Sequence, residues 1–307
     1  AWAIKSEKYI VEALKTLENK LAEQGQKLKP KDAPLPTNYR PELDVTDELD
    51  AETANWYQGL IGILRWAVEL GRVDITHEIS ILSAYLACPR VGHLNAVLHT
   101  FGYLKKNPNR YILADPTHFK VDDQRFVKCE WKDHYPDAAV QMPRNMPTPL
   151  GKPVVVTGWW DASHASNQVT RRSHTGIILF CNKCPVIWYS KRQNTVESST
   201  FGSEFIAGRI AVDLIEALVY KLMCFGVNVM LPADLYGDNE SVCKMAQMPS
   251  AKLTKKHTAI SFHRVREAVA SGLVRIAHEG TNSNISDLLT KVLPAVKRDS
   301  HIDSFMY

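Results

Sequence analysis

The chain has 307 residues, 45% hydrophobic and 23% charged, with a formal net charge of +4. These proportions are those of an ordinary globular protein with room for two domains. No apolar run is long enough to span a bilayer, no signal-peptide pattern opens the chain, and six scattered cysteines make no disulfide framework, which points to a reducing compartment. The first residue is Ala1 rather than Met, as expected of a piece cut from a longer polypeptide. Residues 1–150 hold 19 Lys and Arg against 20 Asp and Glu, whereas residues 151–307 hold 18 against 13. The second half therefore carries the basic surplus that a polyanion-binding surface needs.

In chain order, Ser6 can cap a helix over residues 6–24, with Ile10, Leu14, Leu17 and Leu21 on one face and Gly25 to end it. Residues 27–47 carry Pro30, Pro34, Pro36 and Pro41 and read as a linker. Tyr57, Leu60, Leu64 and Val68 mark a second helix ending near Gly71. Ile75, Ile79, Leu82 and Leu86 mark a third that stops at Pro89. Leu94, Val97, Leu98, Phe101 and Leu104 mark a fourth, whose end carries Lys105 and Lys106. Residues 1–134 are thus expected to be a small helical bundle. Residues 135–153, with Pro136, Pro143, Pro147, Pro149 and Pro153, read as an interdomain linker.

Beyond it, Val154, Val155 and Val156 open a buried strand over 154–160. Residues 175–181 and 186–190 read as a hairpin turning at Asn182 and Lys183. Residues 204–225 form a helix with Ile206, Ile210, Leu214, Leu218 and Leu222 along one stripe. A strand at 235–236, helices at 241–247 and 258–270, a strand at 273–277 and a helix at 285–293 complete the pattern. Residues 154–307 are therefore expected to be an α/β domain that folds without the first half.

Four acids stand at the ends of these elements. Asp161 ends the strand V-V-V-T-G-W-W-D-A-S, where a carboxylate is costly to bury unless it is hydrogen-bonded or coordinates a cation. Glu204 opens the long helix in S-S-T-F-G-S-E-F, Asp238 follows a strand in L-Y-G-D-N, and Asp287 opens the last helix in S-D-L-L-T-K. Taken singly, each reads more readily as a helix cap, Asp238 and Asp287 above all.

Taken together they carry a resemblance. G-W-W-D-A-S, S-K-R-Q-N-T-V-E-S-S-T-F-G-S-E-F, Y-G-D-N-E-S-V and N-I-S-D-L-L-T-K-V-L come in the order seen in the ribonuclease H domain of copia-type LTR retrotransposon Pol polyproteins. The chain resembles that family over nearly its whole length. W-Y-Q-G-L-I-G-I-L-R-W-A-V-E-L-G-R-V-D-I, at 56–75, is similar to the stretch after the reverse-transcriptase palm, which implies that residues 1–134 correspond to the thumb/connection region that grips primer and template. The resemblance implies a ribonuclease H-like mixed five-stranded sheet with flanking helices, and a metal-dependent endonuclease that cuts the RNA strand of RNA–DNA hybrids. It implies Asp161 as a bridge between two ions, Asp287 on the ion that activates water, and Glu204 and Asp238 on the ion at the leaving group. Two divalent cations about 4 Å apart can do both jobs, and hard oxygen ligands suit Mg²⁺, with Mn²⁺ as a substitute. The implied partners are the hybrid and the remainder of the Pol polyprotein, with no membrane. The implied setting is cytoplasmic, in the element's particle, from which nuclear entry could follow. Two positions depart from the common pattern: Trp160 stands where Ser or Thr is usual, and F-G-S-E-F replaces E-A-E-Y.

Several other residues invite a functional reading. Val121-Asp122-Asp123 has the form of a polymerase aspartate pair, but it follows Lys120 rather than an aromatic residue and lies after the helices. A polymerase palm is thus missing from this reading, and the chain is not expected to synthesise DNA by itself. Cys181 and Cys184 have knuckle spacing without a second pair, so a hairpin turn is the better reading. Lys252, Lys255 and Lys256 make a candidate phosphate-contacting patch. His263 and Arg264 read as packing and surface groups, and His278 lies where cellular ribonucleases H carry a mobile histidine. Two rivals stay open. One is a decayed or domesticated fragment that only binds nucleic acid. The other is an integrase-like nuclease, whose glutamate would come on a late helix instead of second.

Overall fold

In a computed structural model of the chain, residues 2–142, 144–253 and 256–307 are described. The amphipathic patterns of the first half become helices α1 (Glu7–Glu23), α2 (Ala51–Glu69), α3 (Thr76–Leu82) and α4 (Val91–Lys106). They bury one core built on Ile10, Leu14, Leu17, Leu21, Tyr57, Leu64, Val97 and Phe101. Ser6 stands at the N-cap of α1 but makes no side-chain cap bond, whereas Asp50 caps α2 through the Thr53 amide. The proline-rich stretch 27–47 is packed: Leu28 and Leu35 belong to the same core. Two strands escaped the periodicity, β1 (Trp2–Lys5) and β2 (Tyr111–Ala114), which pair antiparallel. All four residues of β1 are exposed, so no alternation marks it.

The second half holds β3 (Leu150–Ser163), β4 (His174–Cys181), β5 (Cys184–Arg192), α5 (Thr200–Cys224), β6 (Val227–Gly237), α6 (Glu240–Gln247), α7 (Ala259–Ala270), β7 (Val274–His278) and α8 (Ala295–Ile302). The sheet order is β5-β4-β3-β6-β7. The first three strands are antiparallel, and β6 and β7 run parallel to β3. This is the mixed five-stranded, ribonuclease H-like α/β sheet that the motifs implied. Period-two alternation divides β3: Trp160 goes to the core under α5 and α7, while Trp159 packs on Phe119, Phe180 and Tyr236 on the other face. The C-terminal ends of the central strand β3 and its neighbour β6 bring Asp161 and Asp238 together, and the first turns of α5 lie beside them.

The expected helix over 285–293 is instead a 3-10 turn at Ile285–Leu289, with α8 after it. Pro294 stands at the N-cap of α8 and disfavours α geometry in Leu293, so the turn and α8 do not join into one helix. The two halves share a core. Val73 and Ile112 lie with Ile178, Phe180, Leu289 and Ile302, and Tyr111 exchanges backbone hydrogen bonds with Tyr307 at 2.9 Å. A buried polar knot reinforces the first half. Arg72 donates to both Asp74 oxygens at 2.9 and 2.7 Å, Tyr103 donates to Asp74 at 2.7 Å, and the Arg298 guanidinium from α8 lies 4.5 Å from the Tyr103 ring centre. No helix among the described residues is long and apolar enough to cross a membrane.

Candidate active site

Asp161 is placed by β3, two residues before the strand ends and opposite Gly176 of β4. Glu204 enters from α5 just past its first turn, and the cap of that helix is Ser199 accepting from the Gly202 amide. Asp238 follows β6 directly, and Asp287 sits in the 3-10 turn. The capping duty open to these acids falls to neighbours. Asn239 accepts from the Val242 amide at the start of α6, and Asn284 accepts from Ser286 at the start of the 3-10 turn. None of the four acids is needed as a cap, which removes the structural alternative.

One ligand atom each from Asp161, Glu204 and Asp238 lies within 4.8 Å of the others. Asp161 and Glu204 are buried and Asp238 half-buried. Asp287, the fourth expected ligand, stands outside this cluster: its oxygens accept from Lys291 Nζ at 2.5 Å and Lys297 Nζ at 2.6 Å. Lys291 Nζ also lies 3.2 Å from Asp161, whose Oδ2 accepts the Thr290 hydroxyl. Glu204 Oε1 accepts from the Ala162 amide at 3.3 Å, but its Oε2 is buried without a hydrogen-bond partner among the described residues.

The protonation of the acids follows from this. Burial, then the Asp161 and Asp238 charges, push Glu204 well above the usual carboxylate range. Burial and Asp161 raise Asp238 to about 6. Burial raises Asp161 too, against the pull of Lys291 and Thr290. Burial also works upward on Asp287, but the Lys291 and Lys297 ammoniums outweigh it and hold that carboxyl below its ordinary value. Three crowded carboxylates, one with an orphaned buried oxygen, are the donor set of a hard divalent cation. The residues fit the group.

Trp160 holds this corner together. Its indole crosses Gly237, where an added Cβ would come within 2.3 Å of the ring, and its carbonyl accepts from Asn284 Nδ2 at 3.0 Å. The departure from Ser or Thr at this position thus leaves the ligands in place and fills the core beside them.

No family model matches the chain. It is 25% identical over 237 residues to the retrovirus-related Pol polyprotein from transposon RE1 of Arabidopsis thaliana, covering 77% of this chain and 14% of that protein. Against the polyprotein from transposon TNT 1-94 of Nicotiana tabacum it is 24% identical over 298 residues, covering 96% of this chain and 19% of that one. The chain is similar to transposon Pol polyproteins. It spans less than a fifth of the length of these two. Among solved structures, LC11-RNase H1 in complex with an RNA/DNA hybrid is 16% identical, with a TM-score of 0.36 over 44% of this chain and 93% of that one.

In this Pol-related chain a cleft of about 630 Å³ opens beside the acids, between α2, α3 and the β5 edge. It reaches Ser163, Thr290 and Lys291 and is lined by Arg40, Arg65, Arg172, Lys191 and Arg192 against Glu42 and Glu69. Sequence periodicity missed this groove, because its charges come from five separate segments. Lys252 and Lys256 are exposed, and Lys255 lies outside the described residues. His257, next to Lys256, is 3.2 Å from Glu197 just before α5. His278 Nε2 lies 3.1 Å from the Asp238 carbonyl, beside the acids. His263 contacts the Tyr135 hydroxyl at 2.8 Å and Arg264 pairs with Asp213 and Glu216, so both are structural groups. Asp123 pairs with Arg275 at 2.6 Å, and Asp122 accepts from the Gln124 amide. Cys181 and Cys184 close a two-residue hairpin turn with Asn182 at φ 57°, as the knuckle-free reading expected.

Proposed function

We propose that this chain is a metal-dependent ribonuclease H that cleaves the RNA strand of RNA–DNA hybrids as the C-terminal part of a retrotransposon reverse transcriptase. The observation that carries it is the convergence of Asp161, Glu204 and Asp238 within 4.8 Å, with none of them used as a cap. The Pol kinship supports the same reading. Residues 154–307 would be the nuclease, residues 1–134 a thumb/connection-like grip, and 135–153 the join between them. Asp161, Glu204 and Asp238 would hold a divalent cation, Mg²⁺ by its preference for hard oxygens, with Mn²⁺ as a substitute. Such a cation lowers the pKa of bound water and relieves charge on a departing oxygen.

The chain's own residues supply the rest. The Ala162 amide and the Thr290 hydroxyl fix the orientation of Glu204 and Asp161. The basic cleft and the exposed Lys252 and Lys256 would meet phosphates of the bound hybrid, with Lys255, next to Lys256 in the sequence, as a further candidate. Hydrolysis adds a water oxygen to phosphorus and breaks one P–O bond, so the strand whose phosphate lies over the acids is the one cut. The cytoplasmic particle setting belongs to this proposal. The test is cleavage of end-labelled RNA–DNA hybrid by the full chain with Mg²⁺ and with chelator. Cutting only with the cation is expected; binding of hybrid without any cutting would favour a decayed, nucleic-acid-binding fragment.

A further inference from the structure

The fourth acid of the site behaves differently from the other three. Asp287 gives one oxygen to Lys291 at 2.5 Å and the other to Lys297 at 2.6 Å, so both are already paired with an ammonium. Lys291 Nζ reaches on to Asp161 at 3.2 Å and therefore sits between the two carboxylates that a second ion would have to join. It is also well anchored. The Lys291 and Thr290 amides donate to the Asp287 carbonyl at 3.1 and 3.2 Å, which holds all three residues on one turn. Lys297 comes independently, from α8.

We propose that the Lys291 ammonium takes the place of a second cation, so that this site binds one divalent ion where the family resemblance implies two. The proposal rests on the reading of the acids as a cation site. Charge balance supports it: four carboxylates and two ammoniums leave two negative charges, which one divalent ion cancels. A second ion would leave a surplus positive charge in a buried pocket and face an ammonium across Asp161, which like-charge repulsion opposes. The free side of the cluster is the side of Glu204 and Asp238, where the orphaned Glu204 oxygen awaits a partner. Lys291 is thus a positioning residue, which holds Asp161 and Asp287 in register without occupying that side.

Titration of the full chain with Mn²⁺ alone, reading free Mn²⁺ by its paramagnetic resonance signal, tests this without any cleavage measurement. The wild type should bind one ion per chain, and Lys291→Arg should still bind one. Lys291→Met should bind two, with a lower metal-free melting temperature because Asp287 and Asp161 lose their counter-charge. Two ions on the wild type would overturn the proposal and leave the hydrolase reading standing, as would one ion on a folded Lys291→Met chain. No ion on the wild type would overturn both. If Lys291→Met does not fold, the wild-type and Lys291→Arg counts decide the matter.

Discussion

Two sets of acids in this molecule meet opposite fates. Asp74, in the helical part, is enclosed by Arg72 and Tyr103; burial would raise its pKa, but these partners outweigh it and hold the carboxyl below its ordinary value. Asp161, Glu204 and Asp238, beside the ends of β3 and β6, are held close to one another, and all three are raised. The first group is complete as folded. In the second, the Lys291 ammonium, 3.2 Å from Asp161, pulls all three carboxyls down without offsetting what burial does to them. Burial alone therefore does not mark a functional acid. What separates the two groups is the number of fixed cations per carboxylate: Arg72 donates to both oxygens of the single Asp74, whereas one ammonium, Lys291, lies among three crowded carboxylates.

Substitutions at the two groups should break this comparison in opposite directions. The largest effect is expected at Asp161→Asn, which keeps the volume and removes the charge: cleavage of hybrid should fall about 10³-fold or more. Its metal-free melting temperature should stay level or rise, because one member of a repelling cluster has gone; a nearly active, less stable variant would sink the assignment. Asp74→Asn should do the reverse. It leaves the Arg72 charge buried and unpaired at a cost of about 3–5 kcal/mol in denaturant unfolding, with no change in the number of divalent ions bound. Little loss of stability there would mean that the knot is not the counterweight described above.

The pH dependence sharpens the same contrast. Asp238 sits at about 6 in the folded chain, above an unfolded Asp value of roughly 4. Between these values the folded state holds more protons than the unfolded one, so metal-free stability should fall as pH rises from about 4 to about 6. Glu204 and Asp161, raised as well, act with the same sign, and Asp287, lowered, acts against it. Because the buried His77 and His174, both lowered, act in the opposite sense, the fall is read as the difference between wild type and Asp238→Asn in melting curves with chelator, and added Mg²⁺ should flatten it; no such difference through that window would contradict the direction assigned to Asp238. The smallest effect concerns the surface. Lys256→Glu and Arg192→Glu should each lower the slope of log affinity for hybrid against log salt by about 1. An unchanged slope would remove that residue from the interface.

Much of this was legible in the residues. The stripes Ile10-Leu14-Leu17-Leu21 and Ile206-Ile210-Leu214-Leu218 mark α1 and α5 because a 3.6 period must face a core. The Val154–Val156 run marks β3, and Asn182 in the left-handed region marks the hairpin. β6 was legible only at 235–236, since Asn228, Pro232 and Asp234 break the apolar run that pairing with β3 nevertheless extends. The four acids could be named from their motifs, but not their division into three and one. That depends on Lys297, brought back by α8 from ten residues away. The cleft was not legible either, because Arg40, Arg65 and Arg192 meet only through the docking of α3 on β5, where Ser80 donates to the Ser190 carbonyl at 2.7 Å.

The contact of Trp160 with Gly237 constrains how this corner can change over time. With the indole in place, any side chain at 237 meets the ring at less than van der Waals distance. Shrinking Trp160 first opens a void in the core and weakens the wall behind Asp161. The two positions are therefore coupled like a key and its notch: Gly237→Ala should be harmful alone and milder on a Trp160→Thr background, with effects that do not add. A lineage that acquired the tryptophan could exchange it for a small polar residue only through a less stable intermediate, so the order of substitutions, and not only their identity, decides which relatives of this site can exist.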